Sequence, residues 1–254
     1  MMIGAFSFNN IESSTYSLVC KSIKRPLLPA VKVRQIQPVG VSGVYDFDEN
    51  EYEMRTVTMR ISYVGTDYTE LRTRARSIAA WLSVAAWSKL IINDEPDKYY
   101  LGKVTEEIDL VGLWESGTAE ITFGCQPFAY SVTEESEEVD LTSSGSLVFT
   151  NPGTRVINYR SPQGSKFKIE VDGSWTTLAL TLNGKTLTYT GVGSGVLTID
   201  NIELEATLGI VNAYGSFTGA TDTFLHVIPG ENTLSITGTG LTIAVTVEYI
   251  PLWL

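Results

Sequence analysis

The sequence predicts a mainly β protein of two domains with a single helix. Three observations carry this. Apolar residues alternate with period two over most of the chain, only Asp67–Trp87 carries an apolar stripe at helical spacing, and turns built on Gly, Asn and Pro punctuate the second half. At 254 residues the chain exceeds the usual domain size, so two cores are expected. Its 43% apolar, 10% aromatic and 19% charged residues are ordinary for a folded globular chain.

The first domain is expected over residues 1–133. Met1–Asn9 alternates and ends in a turn, and Tyr16–Ile23 is a second strand, followed by Arg25, Pro26 and Pro29, where proline interrupts pairing. Val31–Gln37 is another strand. Gln37–Glu53 mixes glycine, acids and aromatics, the composition of a projecting loop or hairpin. Met54–Val64 alternates cleanly, with Val57, Met59, Ile61 and Tyr63 on one face and Arg60 and Ser62 on the other.

The helix predicted over 67–87 buries Leu71, Ala75, Ile78, Leu82 and Ala85 or Ala86 against a sheet, with Asp67 and Glu70 placed to satisfy its first-turn amides. Arg72, Arg74 and Arg76 fall mainly off that stripe and read as its solvated side. The segment "LIINDEPDKYYLGKV" then reads as strand, acidic turn and strand, with Asp94, Glu95, Pro96 and Asp97 in the turn. These acids lack the spacing of a calcium loop. Glu106–Leu113 and Ala119–Tyr130, joined near Gly117, complete the domain.

Five carboxylates between Glu134 and Asp140 predict an acidic linker over 134–146 or an exposed strand edge. Residues 147–254 then form a second, antiparallel β-sandwich, with runs at Phe167–Val171, Leu178–Leu182, Leu187–Tyr189, Val196–Ile199, Leu234–Ile236 and Leu241–Tyr249. Asn183-Gly184 is the clearest hairpin turn, because both residues tolerate positive φ. The last residues are expected to return to the first domain.

No reaction chemistry is legible. Cys20 and Cys125 sit in apolar runs and read as buried thiols. His226, the single histidine, has no Cys or acidic partner at ligand spacing, and no G-x-S-x-G setting exists. The many carboxylates lie at turns and in the linker, so a glycosidase pair is not indicated. The expectation is no catalysis, no cofactor and no metal. The net charge of −11 is uneven: residues 1–92 carry 11 Lys/Arg against 8 Asp/Glu, and 93–254 carry 7 against 21. Tight gripping of nucleic acid needs clustered cations, so DNA binding is disfavoured. Neither a secretion signal nor a long apolar span is present in the sequence, and no membrane association is expected.

In order along the chain, "FSFNN", "YSLVCKSIKRP", the arginine-bearing helix ending "AAWL", "LIINDEPDKYYLGKV" and "FGCQPFAY" resemble the N-terminal domain of siphophage distal tail proteins. "NPGT", "IEVDGSW", "LTIDN", "PGENTLSITG" and "YIPLWL" are similar to that family's galectin-like, carbohydrate-binding-module-like C-terminal sandwich. The resemblance implies a structural virion protein assembled in the host cytoplasm. It implies a homohexameric ring joining the tail tube protein to a tail-tip or fibre protein, with DNA passing through without specific binding.

A closed ring needs a contact patch on each subunit, for which Tyr45, Phe47 and Tyr52 of the projecting loop are candidates. The alternative function is a carbohydrate-binding module attaching the tail to cell-wall sugar. Trp175, or Trp253, would then stack on the sugar, and Asn183 or Asn212 would supply hydrogen bonds.

Overall fold

The computed structural model describes residues 4–47, 51–63, 67–109, 118–218 and 224–254, and only the backbone of Asp46, Tyr68 and Leu71. Two compact units make up the chain, Met1–Val132 with Leu254, and Thr133–Trp253. Among the described residues the architecture is mainly β with one α-helix, as the sequence predicts.

In the first unit the strands are β1 (Phe6–Phe8), β2 (Ile11–Glu12), β3 (Leu18–Lys24), β4 (Gln35–Ile36), β5 (Tyr45–Asp46), β6 (Arg55–Tyr63), β7 (Ser88–Ile92), β8 (Glu95–Val104), β9 (Ala119–Cys125) and β10 (Ala129–Ser131). The main sheet runs β2-β1-β7-β8-β9-β6-β3, with β10 paired to β8. Alternation along β6 buries Val57, Met59 and Ile61, and Phe6, Phe8 and Phe123 join them from β1 and β9. The helix α1 (Tyr68–Leu82) closes this core with Ile78, Trp81 and Leu82. Trp81 is its anchor, since Nε1 donates to the Phe8 carbonyl at 2.8 Å while the ring stacks on Tyr16 and Phe6.

Asp67 caps α1 by accepting the Thr69 amide at 2.8 Å, and Glu70 ion-pairs with Arg74 at 2.6 Å, four residues on. The helix ends at Leu82, five residues short of the predicted Trp87. Ala85 and Ala86 are exposed because the chain must turn into β7, whose pairing with β8 outweighs their helix propensity. Glu95, Pro96 and Asp97 lie in β8 rather than in a turn. The register shifts between Ile91 and Ile92, and the bulge accommodates a proline that a regular ladder would exclude. Residues 106–109 of the strand expected at Glu106–Leu113 are irregular, and the remainder lies outside the described residues, as do Met1–Ile3, Gly117 and residues 48–50 of the predicted loop.

The second unit is a sandwich of two antiparallel sheets. One contains β11 (Glu135–Leu141), β13 (Phe167–Trp175), β16 (Gly193–Asp200), β17 (Glu205–Leu208), β18 (Val211–Asn212) and β21 (Thr242–Tyr249), in the order β11-β21-β13-β16-β17-β18. The other contains β12 (Gly145–Asn151), β14 (Thr177–Leu182), β15 (Lys185–Tyr189), β19 (Phe217–Thr218) and β20 (Gly230–Thr239), in the order β12-β20-β14-β15-β19. Asn183 and Gly184 form the two-residue turn between β14 and β15, both at positive φ.

Of the two readings of the acidic segment 134–146, the exposed strand edge holds and the linker is corrected. β11 pairs with β21 along its whole length, and β12 begins at Gly145. Register places Glu135, Glu137, Val139 and Leu141 opposite Tyr249, Val247, Val245 and Ile243, so the inward side of β11 becomes apolar only toward its end. Lys166 holds the start of the strand, ion-pairing with Glu134 and, at 2.8 Å, with Glu248. Burial alone would lower the pKa of Lys166, but hydrogen bonds to these two carboxylates raise it above the ordinary lysine value.

Candidate assembly surface

Between β3 and β6 the chain leaves the sheet as a two-stranded arm. The Glu53 amide donates to Ala30, the Lys32 amide to Glu51 and the Phe47 amide to Arg34, and Gln35–Ile36 pairs with Tyr45–Asp46. Its base is fixed twice. Arg25 bridges to Glu95 at 2.9 Å and Asp94 at 3.3 Å on the β7–β8 hairpin, and Tyr52 packs edge-on against Phe128 with centroids 5.5 Å apart. A ladder from residue 30 to residue 39 reaches on the order of 25–30 Å at strand rise.

What this arm carries is apolar. Among the described residues 22 large hydrophobics are exposed, and 11 of them lie between Leu27 and Met54. Val39, beside Gly40 in the turn, is fully exposed, and Leu27 is 95% exposed. Scattered exposed apolar residues need no explanation, but this concentration makes the segment the candidate assembly surface. Of the predicted contact residues, Tyr45 and Phe47 are 57% and 56% exposed, whereas Tyr52 is half-buried against its own unit. The sequence reading placed the aromatics but missed the valines at the tip.

A second feature went unread. Beneath α1 lies an open cavity of about 230 Å³, where Ala75, Ile78 and Leu82 face Leu18, Ile61 and Ile121 of the sheet, and the exposed Ala79 also lines it. The signal was Ala75 on the sheet-facing side of the helix with Ala79 one turn on at its exposed margin, both too small to fill the space a leucine would occupy. Arg72 and Arg76 stand exposed on the same helix, while Arg74 is taken up by Glu70 and by the Ser17 hydroxyl at 2.8 Å.

The residues proposed for sugar contact are used elsewhere. Trp175 is 1% exposed, and a Cβ on Gly193 would lie 2.2 Å from its ring, so the indole packs on bare backbone with Tyr189 against its edge. It offers no face for stacking, and that expectation is corrected. Asn183 donates its side-chain amide to the His226 carbonyl and to Asn232 Oδ1, fixing the 224–230 segment, and Asn212 accepts the Tyr214 amide. Trp253 is half-buried.

Reactive groups are quiet. Burial pushes the Cys20 thiol up to about 11 and the Cys125 thiol up to about 12, so both are protonated at neutral pH. Among the described residues no cluster of His, Cys, Asp or Glu is placed to hold a metal, and no helix is long and apolar enough to cross a membrane.

Comparison with known proteins follows the same division. A family model described as the phage tail protein RIFT-related domain matches residues 11–125. No curated protein sequence matches the chain. In fold the chain is similar to the Dit protein of phage SPP1, whose crystal structure is presented as a paradigm of the hub adsorption apparatus in phages infecting Gram-positive bacteria. The TM-score is 0.74 at 16% identity, over 98% of this chain and 99% of that one. Residues 11–125 thus match the model of the phage tail protein RIFT-related domain, within a chain whose fold is similar to that of the SPP1 Dit protein over nearly its whole length.

Proposed function

We propose that this chain is a distal tail protein, a structural component of a phage virion that works by assembly and not by turnover. Copies close into a homohexameric ring between the tail tube protein and a tail-tip or fibre protein, and DNA passes through the ring. The observation that carries this reading is the arm, which concentrates nine of the 22 exposed large apolar side chains among the described residues on one element of a chain whose fold is similar to that of a tail hub protein. A monomer gains nothing from such a surface, whereas a heterologous contact that closes after a fixed number of copies buries it. The excess of carboxylates over cations, 29 against 18, suits a conduit that DNA crosses without adhering.

Substituting Tyr45→Asp together with Phe47→Asp tests the surface. Light scattering is expected to give six times the 27.8 kDa chain mass for the parent and folded monomers for the variant. An unchanged hexamer in the variant would reject these residues as the contact, and a parent that remains single at high concentration would reject the ring.

A further inference from the structure

The arm needs a receptor, and the described residues of the first unit contain an open apolar cavity. We propose that the arm tip of one copy, led by Val39, seats in the cavity beneath α1 of the next copy. The inference rests on the ring reading and specifies its joint. Three features of the chain support a second copy as the occupant.

The first is size. The cavity, at about 230 Å³, is smaller than the roughly 300–1,000 Å³ that drug-sized ligands and cofactors occupy. It is larger than the cavity of about 150 Å³, lined by similar side chains, that admits a benzene ring. One branched aliphatic side chain with a neighbouring contact fits that interval, and Val39, Val41 and Val44 are grouped at the tip.

The second is chemistry. The wall is aliphatic, with no charged residue among Leu18, Ile61, Ala75, Ile78, Leu82 and Ile121, so it selects an apolar knob. The exposed mouth at Ala79 keeps it accessible from outside the unit.

The third is charge. Residues 30–54 of the arm contain two cations, Lys32 and Arg34, against five carboxylates, a net charge of −3. α1 contains Glu70 against Arg72, Arg74 and Arg76, a net charge of +2, with Arg72 and Arg76 exposed beside the cavity-lining Ala75 and Ala79. An acidic arm meeting a basic helix gives a steered and oriented contact. The two surfaces differ, so the contact is head-to-tail and propagates from copy to copy, as a ring requires.

The experiment uses the full chain. Val39→Cys and Ala79→Cys are made separately, since Cys20 and Cys125 are buried and resist oxidation. Mixing the two variants under a mild oxidant is expected to give an inter-chain disulfide that neither forms alone. Ala79→Leu, which fills the mouth and preserves helix propensity, is expected to raise the concentration needed for assembly by about tenfold or more.

An assembled protein that shows no mixed disulfide, with Ala79→Leu assembling like the parent, overturns the joint and leaves the ring standing. A disulfide formed by Val39→Cys alone overturns it in favour of a symmetric tip-to-tip contact. A small apolar molecule carried by the parent in native mass spectrometry and lost in Ala79→Leu assigns the cavity to a ligand and overturns it also. A parent that never assembles removes both the joint and the ring.

Discussion

Asp200 illustrates how single side chains hold the second unit. Burial would raise its pKa, but the Glu203 amide, Lys168 at 3.0 Å and the Ile202 amide donate to the carboxylate and keep it below the ordinary value. A folded-state pKa depressed in this way contributes stability that is complete above the unfolded value of about 3.9 and is lost as the pH falls through the folded one. Asp200→Asn is therefore expected to lower Tm at pH 7 and to flatten the loss of Tm between pH 5 and 2, read by circular dichroism. Parallel curves for parent and variant would show that Asp200 contributes nothing to acid stability. This carboxylate was not legible in the sequence, because "LTIDN" gives no sign that Asp200 turns back onto the amides of residues 202 and 203. Trp175 was misread for a related reason. Asp172-Gly173-Ser174 looks like a turn, yet β13 runs through it, and Gly173 is needed because a Cβ there would meet the Thr242 carbonyl at 2.1 Å. Composition is the same for a turn glycine and a close-approach glycine, and only the partner strand separates them.

Period and turn chemistry made most elements readable. β6 followed from strict alternation, the β14–β15 hairpin from Asn183-Gly184, and the start of α1 from Asp67. β11 was legible only as one of two alternatives, because five carboxylates outweighed a weak alternation, and its strand character comes from β21 alongside it. The acids have a physical use there. β11 is the edge of its sheet, with unpaired amides and carbonyls that could template pairing with another chain, and exposed Glu138 and Asp140 oppose that approach. Replacing both by threonine keeps β propensity and removes the charge. The double variant Glu138→Thr, Asp140→Thr is expected to fold with the parent's circular dichroism yet form larger species as concentration or salt is raised, followed by light scattering. If it stays as dispersed as the parent in 0.5 M salt, about a 4–5 Å screening length, the acids do not guard the edge. The same edge explains why sequence reading divided the molecule slightly late, placing the second core at residue 147 when its first strand begins at Glu135.

At the scale of the molecule, division of labour is the main inference. The first unit has the arm, the cavity and the exposed arginines of α1, and its 13 Lys/Arg nearly balance 16 Asp/Glu over residues 1–132. The second has 5 against 13 over residues 133–254, and its sandwich core is centred on Trp175, Phe167 and Tyr249. A surface with that charge excess repels its own copies, whereas the nearly neutral first unit can pack against itself. Each unit exceeds 100 residues and has its own core, enough to bury the surface needed for independent folding. Expressed separately, residues 133–254 are expected to unfold cooperatively and to stay monomeric, while residues 1–132 are expected to assemble as the full chain does, both followed by sedimentation. Assembly confined to residues 133–254 would move the ring contact off the arm and reverse the assignment of roles. Assembly of neither fragment, with the full chain still oligomeric, would mean that the contact needs surface from both units, and the arm alone would no longer account for it.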